Sequence, residues 1–257
     1  MKNLFFKTKR MSVQMQRLLM MMATIMMAFA TLTACEVLED NNDENGKEEE
    51  GGNGGGGVSG KRLKTVLVTE ASGEIQRSEM TYNNDGSVKR SDVYDASSKL
   101  TSYTIFTNNS DGTYKKTETF APFGNQVLVY TYDSNKKPIK AEGTIQNSEG
   151  EFPIIYDYTF QNGRLIRQVI KVGNHGAPGY SEVKYEPEYD SNGRRTTTTE
   201  THSIVGTRKY TRTYNSDGTL QKVIAGDYAG YANTGFTDTY TWENGKTTFN
   251  FDDFSTY

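Results

Sequence analysis

The feature that most constrains this chain is a recurring turn. From Lys61 onward an aromatic residue precedes a short polar segment, in most copies ending in glycine, and another β-rich run follows. The copies start at Tyr82 (YNNDG), Phe106 (FTNNSDG), Tyr132 (YDSNK), Phe160 (FQNG), Tyr189 (YDSNG), Tyr214 (YNSDG) and Trp242 (WENG). Asp-Gly and Asn-Gly suit such turns because glycine, and less readily Asn or Asp, accepts positive φ. Successive turn centres lie roughly 25 to 30 residues apart, a spacing that calls for a repeat architecture. A second, more variable class of turn falls between them: Ala71 to Gly73, Asp95 to Lys99, Pro122 to Asn125, Asn147 to Gly150, Gly173 to Gly179, Val205-Gly206, and Gly226 to Gly235. Together they cut residues 61–257 into about fifteen runs of hairpin length, so sequential strands should pair antiparallel.

The runs alternate in polarity. Ile154, Tyr156, Tyr158 and Phe160 share one face, opposite Ile155, Asp157 and Thr159. Val183, Tyr185, Pro187 and Tyr189 oppose Lys184, Glu186 and Glu188, and Phe236, Tyr240 and Trp242 oppose Thr237, Thr239 and Thr241. Period two with one apolar face is the pattern of a half-buried antiparallel strand. Helical periodicity is missing after Gly60, and Thr-rich runs such as Arg194 to His202 favour strand. The expected fold is all-β, an antiparallel up-and-down meander of about 14–16 strands built from seven hairpin repeats. Sheets beyond about ten strands curl, split or close, so a large curled sheet, a flattened two-layer sheet or a barrel-like structure are the options. A bilayer-spanning barrel needs an outward apolar band, which runs such as GTRKYTRTY do not supply. The seven pre-turn aromatics all close the same end of their hairpins and form a belt, for which packing is the expected role.

The N-terminus belongs to a different world. Residues up to Arg17 carry Lys2, Lys7, Lys9, Arg10 and Arg17 with no acid, and an apolar run, Leu18 to Ala34, follows. This is the pattern of a secretory signal peptide. Leu32-Thr33-Ala34-Cys35 resembles the lipobox of bacterial lipoproteins, which implies cleavage after Ala34 and lipidation of Cys35. Cys35 is the sole cysteine, so no disulfide forms within the chain. Residues 36–60 hold eight acids, one lysine and a glycine run, a composition that cannot bury enough apolar surface to order itself. The expected organisation is therefore a signal peptide over 1–34, a lipidated tether over 35–60, and one β-hairpin-repeat domain over 61–257. Acids at Glu36, Glu39 and Asp40 resemble the surface-export signals of Bacteroidota-type lipoproteins, and a plain solvated spacer is the alternative. The implied location is the outer membrane or cell surface, with the membrane as a partner through the anchor.

The Tyr-Asp/Asn-x-x-Gly turns, clearest at Tyr189 to Gly193 and Tyr214 to Gly218, resemble the YD repeats of RHS-type shell proteins. They are also similar to hairpin-repeat lipoproteins of Bacteroidota, some grouped as a family of unknown function with a porin-like β-fold. Lys136 stands where the third copy should have glycine, and the second copy begins with Phe106 rather than Tyr. No catalytic residue comes with either resemblance.

Little points to chemistry. Without the signal and tether the charge is close to even, 23 basic residues against 24 acids, so nothing suggests a nucleic-acid partner. The two histidines, His175 and His202, lack a second His or Cys at metal spacing, and no metal or cofactor is expected. Asp85, Asp111 and Asp217 read as turn formers rather than calcium ligands. The leading expectation is a non-enzymatic surface lipoprotein binding an extracellular glycan or protein. Tyr228 and Tyr231, set among Gly and Ala in GDYAGYANTG, are the candidate contacts, against the alternative that this loop merely links strands. A structural envelope component and a hydrolase with an unrecognised carboxylate pair are the competing classes.

Overall fold

The structure is a computed structural model that describes residues 60–245 apart from 112, 123 and 178. Ala34, Cys35 and the tether up to residue 59 lie outside the described residues, as does everything after 245. The described chain forms fourteen strands and no helix. They are β1 (Lys61–Glu70), β2 (Ile75–Tyr82), β3 (Val88–Asp95), β4 (Leu100–Asn108), β5 (Tyr114–Ala121), β6 (Gly124–Tyr132) and β7 (Pro138–Asn147), then β8 (Gly150–Gln161), β9 (Arg164–Val172), β10 (Ser181–Tyr189), β11 (Arg195–His202), β12 (Gly206–Tyr214), β13 (Leu220–Ala225) and β14 (Phe236–Asn244). Each pairs antiparallel with its sequence neighbours, and β14 pairs with β1, so the meander closes into a barrel. The open and curled alternatives are thereby resolved in favour of closure.

Closure repeats the hairpin. In five tight hairpins the pre-turn aromatic sits opposite an inward residue just past the turn: Tyr82 with Val88, Tyr132 with Pro138, Phe160 with Leu165, Tyr189 with Arg195, and Tyr214 with Leu220. A register shift follows each pair, because one residue of the outgoing strand is bulged out. At the seam Trp242 opposes Leu63 with the same shift beside it, and the Gly245 amide donates to the Gly60 carbonyl at 3.0 Å. The seam is thus a hairpin whose turn has been cut.

The aromatic belt packs, as expected, and it also clasps. Tyr82, Tyr132, Phe160, Tyr214 and Trp242 lie against the core, and Phe106 is within it. The Tyr82 hydroxyl donates to the Leu63 carbonyl (2.5 Å), Tyr189 to Leu165 (2.8 Å), Tyr214 to Arg195 (2.8 Å), and the Trp242 indole N–H to Leu220 (2.8 Å). In the copy that begins at Phe106, the Asn108 amide performs this role, donating to Val88 at 3.1 Å. Each bond ties one hairpin to the preceding one at the point where the bulge interrupts the ladder. A cation beside the same point lies over the next ring: Arg62 over Tyr82 at 4.7 Å, Arg164 over Tyr189 and Arg194 over Tyr214 both at 5.6 Å.

The turns satisfy their backbones in two ways. Asp85, Asp111 and Asp217 accept from the amide and hydroxyl of the residue two positions on, as turn formers should. Asp95, Asp133 and Asp190 instead accept from amides two and four residues ahead. Lys136 takes the position that glycine holds in the Tyr189 copy and adopts φ +60°, a conformation that costs a side-chain-bearing residue energy.

The barrel is filled inside and charged outside. Leu63, Val66, Leu128, Ile154, Tyr185, Tyr210 and Val223 are 0–2 % exposed, and side chains from around the ring form one core cluster. Outward side chains pair along their own strands: Arg77 with Glu79 (3.0 Å), Arg90 with Asp92 (2.6 Å), Lys116 with Glu118 (2.9 Å), Lys184 with Glu186 (3.0 Å), and Lys140 with Glu142. Lys171 and Asp157 pair across β8 and β9 at 2.7 Å. Such exposed pairs stabilise little. They suit water better than lipid, because each Arg or Lys facing lipid near the bilayer midplane would cost ~2–4 kcal/mol, while Leu67, Val129 and Ile224 also face outward.

Candidate functional site

Because β1 starts beside β14's last residues, the chain enters the barrel at the end that carries the tight aromatic turns. The variable turns gather at the opposite end. The longest of these, Gly226 to Gly235, lies over the barrel mouth between β13 and β14.

This loop is internally organised. The Asp227 carboxylate accepts from the amides of Thr234 and Gly235, both at 2.7 Å, and of Asn233 at 3.2 Å. Those backbone bonds hold its pKa below the usual carboxylate range. The Tyr228 amide donates to Thr234 Oγ1 at 2.9 Å, while the Gly226 and Ala229 amides bond the Lys209 and Thr207 carbonyls at the rim of β12. Gly235 passes so close to β13 that a Cβ would stand 2.6 Å from the Ala225 carbonyl oxygen.

The two tyrosines singled out from sequence part company here. Tyr231 stays at the surface, 39 % exposed. Tyr228 turns inward and is 8 % exposed, so in this conformation it is not an open surface contact despite its Gly- and Ala-rich surroundings. Its hydroxyl donates to Glu200, which also accepts from Tyr210. Burial, followed by the Glu200 charge, raises the Tyr228 pKa, and the phenol stays protonated.

Beneath Tyr228 lies a charged cluster that sequence reasoning missed. Arg208 Nε donates to Glu200 at 2.7 Å, with the two side chains 7 % and 0 % exposed. The guanidinium stands 4.3 Å from the ring centroid of Tyr228, 4.9 Å from Tyr210 and 5.3 Å from Phe236. Burial opposes its charge, but Tyr210, Glu200 and Tyr228 outweigh that and raise its pKa. His202 meets Tyr228 edge-on, with centroids 6.4 Å apart. Its Nδ1 accepts from the Ile204 amide at 3.0 Å, and burial lowers its pKa, so it is neutral with the proton on Nε2. Asp238, fully buried on β14, accepts from the Tyr240 hydroxyl at 3.4 Å, and burial pushes its pKa up to about 7. His202 Nε2 and Asp238 Oδ1 are buried without a hydrogen-bond partner.

His175 is exposed on the β9–β10 loop at the same end of the barrel, its ring 5.0 Å from that of Tyr180. Among the described residues no three His, Cys, Asp or Glu side chains are placed to hold a metal ion. The buried carboxylates of the cluster, Glu200 and Asp238, are both 0 % exposed, and a substrate reaches neither in this conformation.

No family model matches the chain, and no curated protein matches it. Among solved structures it is similar to a porin-like protein from Bacteroides uniformis ATCC 8492, with 12 % identity over 70 % of this chain and 96 % of that one and a TM-score of 0.42. It is also similar to a porin-like protein from Bacteroides vulgatus ATCC 8482, with 10 % identity over 69 % and 98 % of the two chains and a TM-score of 0.43. A third likeness, to TcdB2-TccC3 without its hypervariable C-terminal region, is 13 % identical, covers 66 % of this chain and 10 % of that one, and has a TM-score of 0.23. These are likenesses of chain trace at low scores. The barrel itself rests on its own strand pairings.

Proposed function

We propose that this protein is a non-enzymatic, lipid-anchored envelope protein that presents the variable-loop end of a closed, side-chain-filled barrel to a glycan or protein ligand outside the membrane. The observation that carries this reading is the outer wall: its paired charges suit a barrel standing in water rather than one lining a hole through lipid. Attachment then falls to Cys35, and roughly 25 residues of acidic and glycine-rich chain lead from it to the tight-turn end. That connection turns the opposite end, with Tyr231, His175 and Tyr180, away from the anchor. The YD-like and Bacteroidota-like character of the turns agrees with an envelope role.

Two measurements test it. Radiolabelled palmitate should enter the wild-type chain and not Cys35→Ser, and label in the variant would remove the anchor from the account. The full mature chain should retain ligands from glycan arrays or envelope extracts, and Tyr231→Ala should weaken that retention. Blank arrays and blank pull-downs would end the binding role.

A further inference from the structure

Tyr228 is held by its surroundings as a ligand is held. It reaches the barrel interior from a loop, whereas Glu200, Arg208, Tyr210 and Phe236 reach it from strands. Its contacts are those that recognise a phenol: hydroxyl on a carboxylate, ring face beneath a guanidinium at 4.3 Å, ring edge against an imidazole. The loop that carries it is tied together by Asp227, so it can move as a unit, and at the rim its backbone holds β12 through the Gly226 and Ala229 amides. The cluster also has hydrogen-bonding capacity that Tyr228 leaves unused, in His202 Nε2 and Asp238 Oδ1, whose residues are 3 % and 0 % exposed. Buried polar groups without partners are rare, and the Arg208 charge acts on both of these residues.

We propose that the cradle formed by Glu200, Arg208, Tyr210, Phe236 and His202 is a binding site for a tyrosine side chain of a partner peptide, and that Tyr228 is its internal occupant, displaced when the partner arrives. This deepens the loop-end binding role and rests on it. A peptide tyrosine supplies the same ring and hydroxyl. Glu200 then sets selectivity, because a site built to receive a hydroxyl rejects the same ring without one. The internal occupant keeps the charged pair covered while no partner is bound.

The test uses the full chain with p-cresol as probe and toluene as control, and reads hydrogen exchange at the amides of Tyr228, Thr234 and Gly235. Saturating p-cresol should raise exchange at these amides several-fold in the wild type, and toluene should not. Tyr228→Phe removes the occupant's bond to Glu200, and p-cresol should then bind on the order of tenfold more tightly. If p-cresol leaves exchange unchanged in both proteins, Tyr228 is a fixed plug and the proposal falls. Equal effects of toluene and p-cresol would overturn it as well, since Glu200 would not be reading the hydroxyl. Loss of this result leaves ligand retention through Tyr231 measurable, so the two readings fail separately.

Discussion

The walls β6–β9 and β11–β14 share hairpin turns, bulges and pre-turn aromatics, yet they bury different chemistry. The first lines the interior with Leu128, Tyr130, Ala141, Ile145, Ile154, Tyr156, Tyr158, Leu165 and Ile170, its buried polar side chains being the uncharged Gln126 and Gln168. The second supplies Thr198, Glu200, His202, Arg208, Arg212 and Asp238 on its inward faces, relieved by Tyr210, Val223 and Tyr240. The repeat therefore fixes the barrel's geometry but not its contents. One wall contributes apolar burial, the dominant favourable term in folding. The other spends part of that gain on desolvating charges, and a buried ion pair seldom stabilises more than the apolar side chains that could replace it. The polar wall also carries the longest loop. Cost and organisation coincide there, which is the pattern of a site.

The contrast can be broken by removing one charge. Arg208→Met leaves Glu200 buried without its cation and should destabilise the fold by ~3–5 kcal/mol in denaturant titration. Restoring balance with Glu200→Leu in the same chain should recover most of the loss, and failure to recover would show that the pair contributes more than its desolvation cost. In the apolar wall, Tyr156→Ala should cost a comparable ~3–5 kcal/mol through the cavity it leaves, with no second-site charge change able to repair it.

A pH series sharpens the same comparison. Asp238 has a folded-state pKa of about 7, well above its ordinary 3.8, so the folded state binds the extra proton across that interval. Stability should fall as pH rises from about 4 to about 7, by up to ~4 kcal/mol, and then level off. Asp238→Asn should abolish that slope and stabilise the protein at pH 7. A slope that survives the substitution would assign it elsewhere. The turn carboxylates act with the opposite sign, since Asp95, Asp111, Asp190, Asp217 and Asp227 have pKa values lowered by the hydrogen bonds they accept. Their contribution is present above the ordinary carboxylate range and is lost as pH falls through the lowered values.

Single turns and clasps yield smaller effects. Tyr214→Phe deletes the clasp to the Arg195 carbonyl and should cost about 1 kcal/mol. Lys136→Gly relieves a positive φ and should stabilise by about 1 kcal/mol, read as a rise in Tm. An unchanged midpoint would mean that the lysine's own contacts offset the strain.

Much of the common framework was legible in the sequence. Tyr189-Asp-Ser-Asn-Gly and its kin announce hairpins because few residues accept the turn's backbone angles, and Ile154, Tyr156 and Tyr158 announce an inward face. Closure was less legible. It depends on Leu63 standing opposite Trp242 as Val88 stands opposite Tyr82, an equivalence between residues at opposite ends of the domain. The polar cluster was hidden for a different reason. In β11, RTTTTETH offers no apolar face, so alternation gives no sign that Glu200 and His202 point inward. Tyr228 misled because a Gly- and Ala-rich loop reads as surface, while its burial is created by a carboxylate on a strand 28 residues earlier.

The cut hairpin at Gly60 and Gly245 has an engineering corollary. If the seam is equivalent to the other tight turns, the strand at which the polypeptide starts is incidental to the ring. Linking those two glycines and opening the chain at Asn192-Gly193 should give a circular permutant with the same barrel, its termini simply relocated around the rim.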